Sequence, residues 1–120
     1  MDPAQPMIDW INTVPLAELA SELMTAFGPD GVRDGEAVGP DDLSNWMLRG
    51  YPKQTGIIVP ARPVNVPIME AVQLLEHSEL IYLRWITNDA LVWSVTRLGT
   101  STLGAGKDAI RQRIKDRTGL

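Results

Sequence analysis

Apolar residues recur at helical intervals early in the chain. Leu16, Leu19, Ala20, Leu23, Met24 and Phe27 stand at i, i+3, i+4, i+7, i+8 and i+11, one face of a 3.6-residue helix. Pro15 suits a first turn, where its missing N–H would have no partner, and Gly28-Pro29 is a stop. The pattern predicts a helix over 15–27. Before it, Pro3 and Pro6 interrupt a segment whose apolar positions are Met7, Ile8, Trp10, Ile11 and Val14, which predicts a short strand or an apolar N-terminal arm over 1–14. After it, Gly28, Gly31, Gly35 and Gly39 among acidic residues predict a loop. Leu43, Trp46 and Met47 then share a face, with Asp41 and Asp42 where the helix dipole favours negative charge. A second helix is expected from Pro40 or Asp41 to Arg49, ended by Gly50.

Residues 50–66 hold three prolines and two glycines and predict a long turn, with a short extended piece at Ile57–Val59. Ile68, Ala71, Val72, Leu74 and Leu75 then return to the helical period and predict a third helix over 67–78, capped by Asn65 or Val66. The period changes at Leu80. The runs Leu80–Ile86 and Leu91–Val95 are rich in aromatic and branched residues and are separated by Thr87-Asn88-Asp89-Ala90, which predicts a β-hairpin with an Asn-Asp turn. Alternation places Leu83 and Trp85 on one face, with Leu91, Trp93 and Val95 covering the same core. Thr96 is a candidate N-cap. Gly99, Gly104 and Gly106 weaken a helix through the next stretch, and the better helix is 107–117, with Ala109, Ile110 and Ile114 as its apolar stripe.

Composition narrows the chemistry. A chain of 120 residues is one domain by length. It has no Cys and one His, which removes disulfides, thiolate nucleophiles and Cys-based zinc sites and disfavours His-rich metal centres and most triads. No apolar run approaches the roughly 18 residues that cross a bilayer, and MDPAQPMIDW is unlike a signal peptide, so a cytoplasmic protein is expected, without membrane contact. No nucleophile–base pair is visible, and an enzyme is not expected; nor is a cofactor or a metal. Charge is uneven: residues 1–48 carry nine acids and one base, residues 49–120 ten bases and six acids. Such asymmetry hints at a polyanion partner for the second half, or at a solvated basic terminal helix, since six of the ten bases lie at or beyond Arg97.

The order helix, helix, turn, helix, hairpin, terminal helix resembles the winged helix-turn-helix plan. Leu75-Glu76-His77-Ser78-Glu79-Leu80-Ile81 resembles the end of a recognition helix entering the first wing strand, where many regulators read L-E-x-x-G-L-I; Glu79 replaces the Gly. Trp93-Ser94-Val95-Thr96-Arg97-Leu98-Gly99-Thr100-Ser101-Thr102-Leu103 resembles the wing's return strand, often Y-x-L-T-x-x-G-x-x-x-L. The resemblance covers about 67–103, and more loosely 15–103. It implies a mainly α fold with one β-hairpin (α+β), a single winged-helix domain over 15–120 behind the 1–14 arm, and double-stranded DNA as partner, bound by a homodimer in transcriptional control.

On that plan residues 41–49 brace and residues 67–78 read the major groove. The contact candidates are Lys53 and Arg62 in the long turn, Asn65 just before the reader helix, Gln73 and His77 on it, and Arg84 and Arg97 on or beside the wing. The reader helix departs from the plan: it holds Glu70 and Glu76 and no Arg or Lys, and the wing tip Asn88-Asp89 lacks an Arg. These departures favour the alternative, a protein-interaction module, adaptor or inhibitor, that uses acidic residues 30–42 or the apolar arm and binds no DNA.

Other features have plainer readings beside the functional ones. His77 is a base or phosphate contact, or a helix-end cap. Arg62 and Asn65 are contacts or turn residues. The four tryptophans are core, with Trp10 the exception if the arm packs on a second subunit. Asp30–Glu36 is faintly like a calcium loop but lacks its alternating ligands and distal Glu. Gly99–Lys107 approaches a phosphate-binding loop but has Ser101 and Asp108 where Gly and Ser or Thr are required. The basic segment Lys107–Arg117 is a docking or dimerisation helix, or a solvated tail.

Overall fold

The computed structural model describes residues 5–29, 31, 39–48, 64–87 and 90–120. The elements are α1 (Gln5–Thr13), α2 (Leu16–Leu23, continued by a 3₁₀ turn over Met24–Phe27), α3 (Pro40–Met47), α4 (Asn65–His77), β1 (Ile81–Thr87), β2 (Ala90–Val95), α5 (Arg97–Ala105) and α6 (Lys107–Thr118). The chain is α-rich with one two-stranded antiparallel sheet, an α+β architecture whose shape is compatible with a winged helix.

The predicted first helix forms α2 and its 3₁₀ extension, with Leu19, Ala20, Leu23, Met24 and Phe27 buried and Gly28 closing the turn. The expected strand or arm is instead a helix, α1. Pro6 falls in its first turn, where no intrahelical hydrogen bond is lost, and Ile8 and Ile11, three apart, are buried in the core. α3 starts at Pro40, as one of the two predicted starts has it. Asp42 Oδ2 accepts from the Gly39 N–H at 3.1 Å, an N-terminal cap, and Leu43 and Met47 are buried.

α4 runs through the centre, packed against α2, α3, α6 and β1. Ile68, Ala71, Val72, Leu74 and Leu75 are buried as predicted, although the helix begins at Asn65 and takes Pro67 into its first turn. Its C-terminus is a Schellman motif. The Leu80 N–H reaches back to the Leu75 carbonyl at 3.1 Å and the Glu79 N–H to the Glu76 carbonyl at 2.9 Å, while Leu75 and Leu80 are both buried. Glu79 holds the left-handed position of that motif, φ 64°, the conformation glycine favours. It is the same position at which the L-E-x-x-G-L-I pattern carries Gly.

The hairpin forms in the register Ile81↔Val95, Leu83↔Trp93 and Trp85↔Leu91, with an irregularity between Trp85 and Thr87. Ile81 and Trp93 meet the helical core, but Leu83 is 41% exposed. Alternation assigned Leu83 correctly to the face of Trp93 but not to the core, although Leu91, farther along the same face, packs against it. The Trp85 side chain and the Asn88-Asp89 tip lie outside the described residues.

The glycine-rich stretch after β2 is helical, contrary to expectation. Thr96 caps α5, its Oγ1 accepting from the Gly99 N–H at 2.8 Å and donating to the Glu79 carbonyl at 2.7 Å, while its backbone N–H donates to the Leu80 carbonyl at 3.1 Å. A Cβ at Gly99 would collide with that same carbonyl oxygen. Gly99 is thus where α5 closes onto the start of β1. Gly106 separates α5 from α6, with φ 101°. Ile110 and Ile114 of α6 are buried, so the terminal segment is docked rather than a free tail.

Candidate nucleic-acid interface

The sequence-predicted contacts fall on α4, the hairpin and the start of α5. With its apolar stripe facing inward, α4 turns Asn65, Val66, Glu70, Gln73 and His77 outward. Asn65 and His77 are twelve residues apart, about 18 Å along the axis. Asn65 Oδ1 accepts from Ser44 Oγ of α3 at 3.1 Å, which braces the start of α4 against the helix before it. Asn65 and Gln73 border one shallow depression of about 260 Å³ with Val66, Met69 and Glu70 between them.

Arg84 stands exposed on β1 opposite Val92, and Arg97 is exposed at the first position of α5. Neither forms an ion pair among the described residues. Lys53 and Arg62 lie outside the described residues, as do Arg49, the Ile57–Val59 piece and nearly all of the acidic 30–42 loop before Gly39. The structure therefore brings Asn65 and Gln73 together on one helix face, extends that face to His77, and leaves Arg84 and Arg97 as exposed cations on other elements.

The two acids of α4 differ. Glu76 accepts from the Trp93 indole N–H at 2.8 Å and so ties the helix to β2. Glu70 is exposed and forms no ion pair among the described residues. Trp93 is buried, whereas Trp10 and Trp46 are partly buried against the core. Trp10 therefore packs within its own chain.

The basic terminal helix is used internally. Arg113 and Arg117 both reach Glu79, Arg113 Nε also donates to the Ser78 carbonyl at 3.0 Å, Lys107 pairs with Glu22, and Arg111 lies 3.9 Å from Glu18. Four of the five α6 bases thus answer acids of α2 and the α4–β1 turn. Sequence reading missed this because the partners are remote along the chain; the one available signal was the apolar stripe Ile110/Ile114, which had to dock somewhere. The phosphate-loop near-match is also accounted for. Gly99–Ala105 is helical, so its amides face along the helix axis, and Lys107 is paired with Glu22.

Among the described residues no helix is long and apolar enough to cross a membrane, and no cluster of three or more His, Asp or Glu could hold a metal ion. Comparison with protein-family models, with curated proteins and with solved structures gives no match, so the reading of this surface rests on its own geometry.

Proposed function

We propose that the chain is a winged-helix DNA-binding protein that regulates by occupying a site, with α4 as the reader helix and no catalytic step. The observation that supports this reading is the outward row Asn65, Gln73 and His77 on the helix that leads directly into the hairpin. Asn and Gln side chains match the donor–acceptor pair on an adenine edge, and an α-helix fits the major groove. Because α4 carries no Arg or Lys, phosphate neutralisation falls to Arg84 and Arg97 among the described residues. Each phosphate contact steepens the fall of affinity with salt, so two chains acting as a homodimer would double the effect. The direct test is selection from a pool of randomised duplexes. Recovery of a common sequence, lost on Gln73→Ala, supports the reading; recovery of the input distribution opposes it.

A second reading, a protein-interaction module that binds no DNA, is favoured by one specific feature. Glu70, unpaired among the described residues, shares the α4 face with Met69 and with Val66, which is 70% exposed. A carboxylate there repels phosphate and, beside apolar groups, suits a protein surface. Glu70→Gln separates the two readings: it should strengthen duplex binding under the first and weaken partner capture under the second.

A further inference from the structure

Away from the α4 face, a cleft of about 950 Å³ opens between α2 with its 3₁₀ turn, α3, β2 and α5. Its size is at the upper end of the roughly 300–1,000 Å³ typical of small-molecule sites. Phe27, Trp46, Val95 and Leu103 give it apolar walls. Three side chains with oxygen atoms also border it: Glu22, Thr25 and Thr100. The Thr25 hydroxyl donates its proton to the Glu22 carbonyl at 2.7 Å, and the Thr100 hydroxyl donates to the Thr96 carbonyl at 3.2 Å. Both hydroxyls therefore keep only lone pairs for an occupant, and a carboxylate is an acceptor throughout. Among the described residues, the side-chain oxygens lining the cleft offer lone pairs to an occupant.

Glu22 is held by Lys107 in an ion pair whose side chains are 38% and 51% exposed. Exposed pairs of this kind contribute little, so an incoming ammonium can replace Lys107 at small cost. Glu22 also borders a smaller depression with Met7, Trp10 and Met47. We propose that this cleft binds a small primary amine with an apolar, ring-sized body, its ammonium taking the place of Lys107 on Glu22 and its ring lying between Phe27, Trp46 and Leu103. The inference stands independently of the DNA reading.

Gly104 supplies the control. It lines the cleft, and a Cβ there would meet nothing within 4 Å, so a side chain can start there without a clash at its first carbon. The experiment is isothermal titration calorimetry of the full chain with 4-phenylbutylamine, and with 4-phenylbutyrate as the matched anion. The amine should bind saturably with one site and at least tenfold more tightly than the acid. Glu22→Gln should weaken it severalfold, Lys107→Met should tighten it severalfold by removing the competing ammonium, and Gly104→Phe should abolish it with an unchanged circular dichroism spectrum. No saturable binding of the amine, equal binding of the acid, or insensitivity to Gly104→Phe would overturn the proposal. Should Gly104→Phe disturb the fold, the other two variants decide: shifts in opposite directions support the site, and shifts in the same direction or none overturn it.

Discussion

Glu79 holds a left-handed backbone at a position where a side chain costs about 1–2 kcal/mol relative to glycine. Its carboxylate offsets part of that cost by receiving both Arg113 and Arg117. Exposed ion pairs are worth about 0–1 kcal/mol each, so the two effects nearly cancel. Glu79→Gly should therefore leave stability within about 1 kcal/mol of the parent, as it loses the pairs and the strain together. Glu79→Ala loses the pairs and keeps the strain, and should be the less stable of the two by about 1 kcal/mol in urea unfolding. An alanine variant as stable as the glycine one would contradict this account of the turn.

Tertiary contact likewise explains why α5 forms despite its glycines. Helix propensity alone ranks Ala above Gly by about 1 kcal/mol at any interior position. At Gly104, which faces open space, Gly104→Ala should stabilise by about 0.5–1 kcal/mol. At Gly99 the added methyl meets the Leu80 carbonyl, and Gly99→Ala should destabilise by about 2 kcal/mol despite the better propensity. Opposite signs in thermal unfolding are the expected result; two gains would show that α5 is not clamped against β1.

These elements also mark what was legible in the sequence. The α2, α3, α4 and hairpin assignments followed from periodicity because each buries a regular apolar stripe. The strand or arm expected before Pro15 failed because two prolines were read as breakers, whereas Pro6 lies in a first turn and costs nothing. The helix over 97–105 was missed because Gly99 has a tertiary purpose that local propensity does not encode. Leu83 shows the limit of alternation, which fixes a face but not which residues of that face the helices cover. The outward side of α4 was readable as the complement of its inward side; the cleft around Glu22 was not, since it assembles four separated elements.

Over the full chain, the charge imbalance between the two parts is partly consumed internally. Lys107 and Arg111 clamp α6 to α2, and Arg113 and Arg117 clamp it to the α4–β1 turn. These pairs are mostly exposed and should be screened by salt, yet Ile110 and Ile114 are buried, so apolar contact carries the docking. Ile114→Ala should accordingly cost about 2–5 kcal/mol, whereas Arg111→Ala should cost less than about 1 kcal/mol, as read from the midpoints of urea unfolding. A larger effect at Arg111 than at Ile114 would reverse this ordering of forces.

Under the proposed function the α4 face would meet duplex DNA, with phosphate contacts supplied by Arg84 of β1 and Arg97 of α5. Fluorescence anisotropy of a labelled duplex across a salt series is the decisive measurement. Affinity should fall linearly with salt on logarithmic axes, and Arg84→Ala and Arg97→Ala should each make the slope shallower by about 1. Absence of binding at the lowest salt, or a slope that neither substitution changes, would contradict the DNA reading.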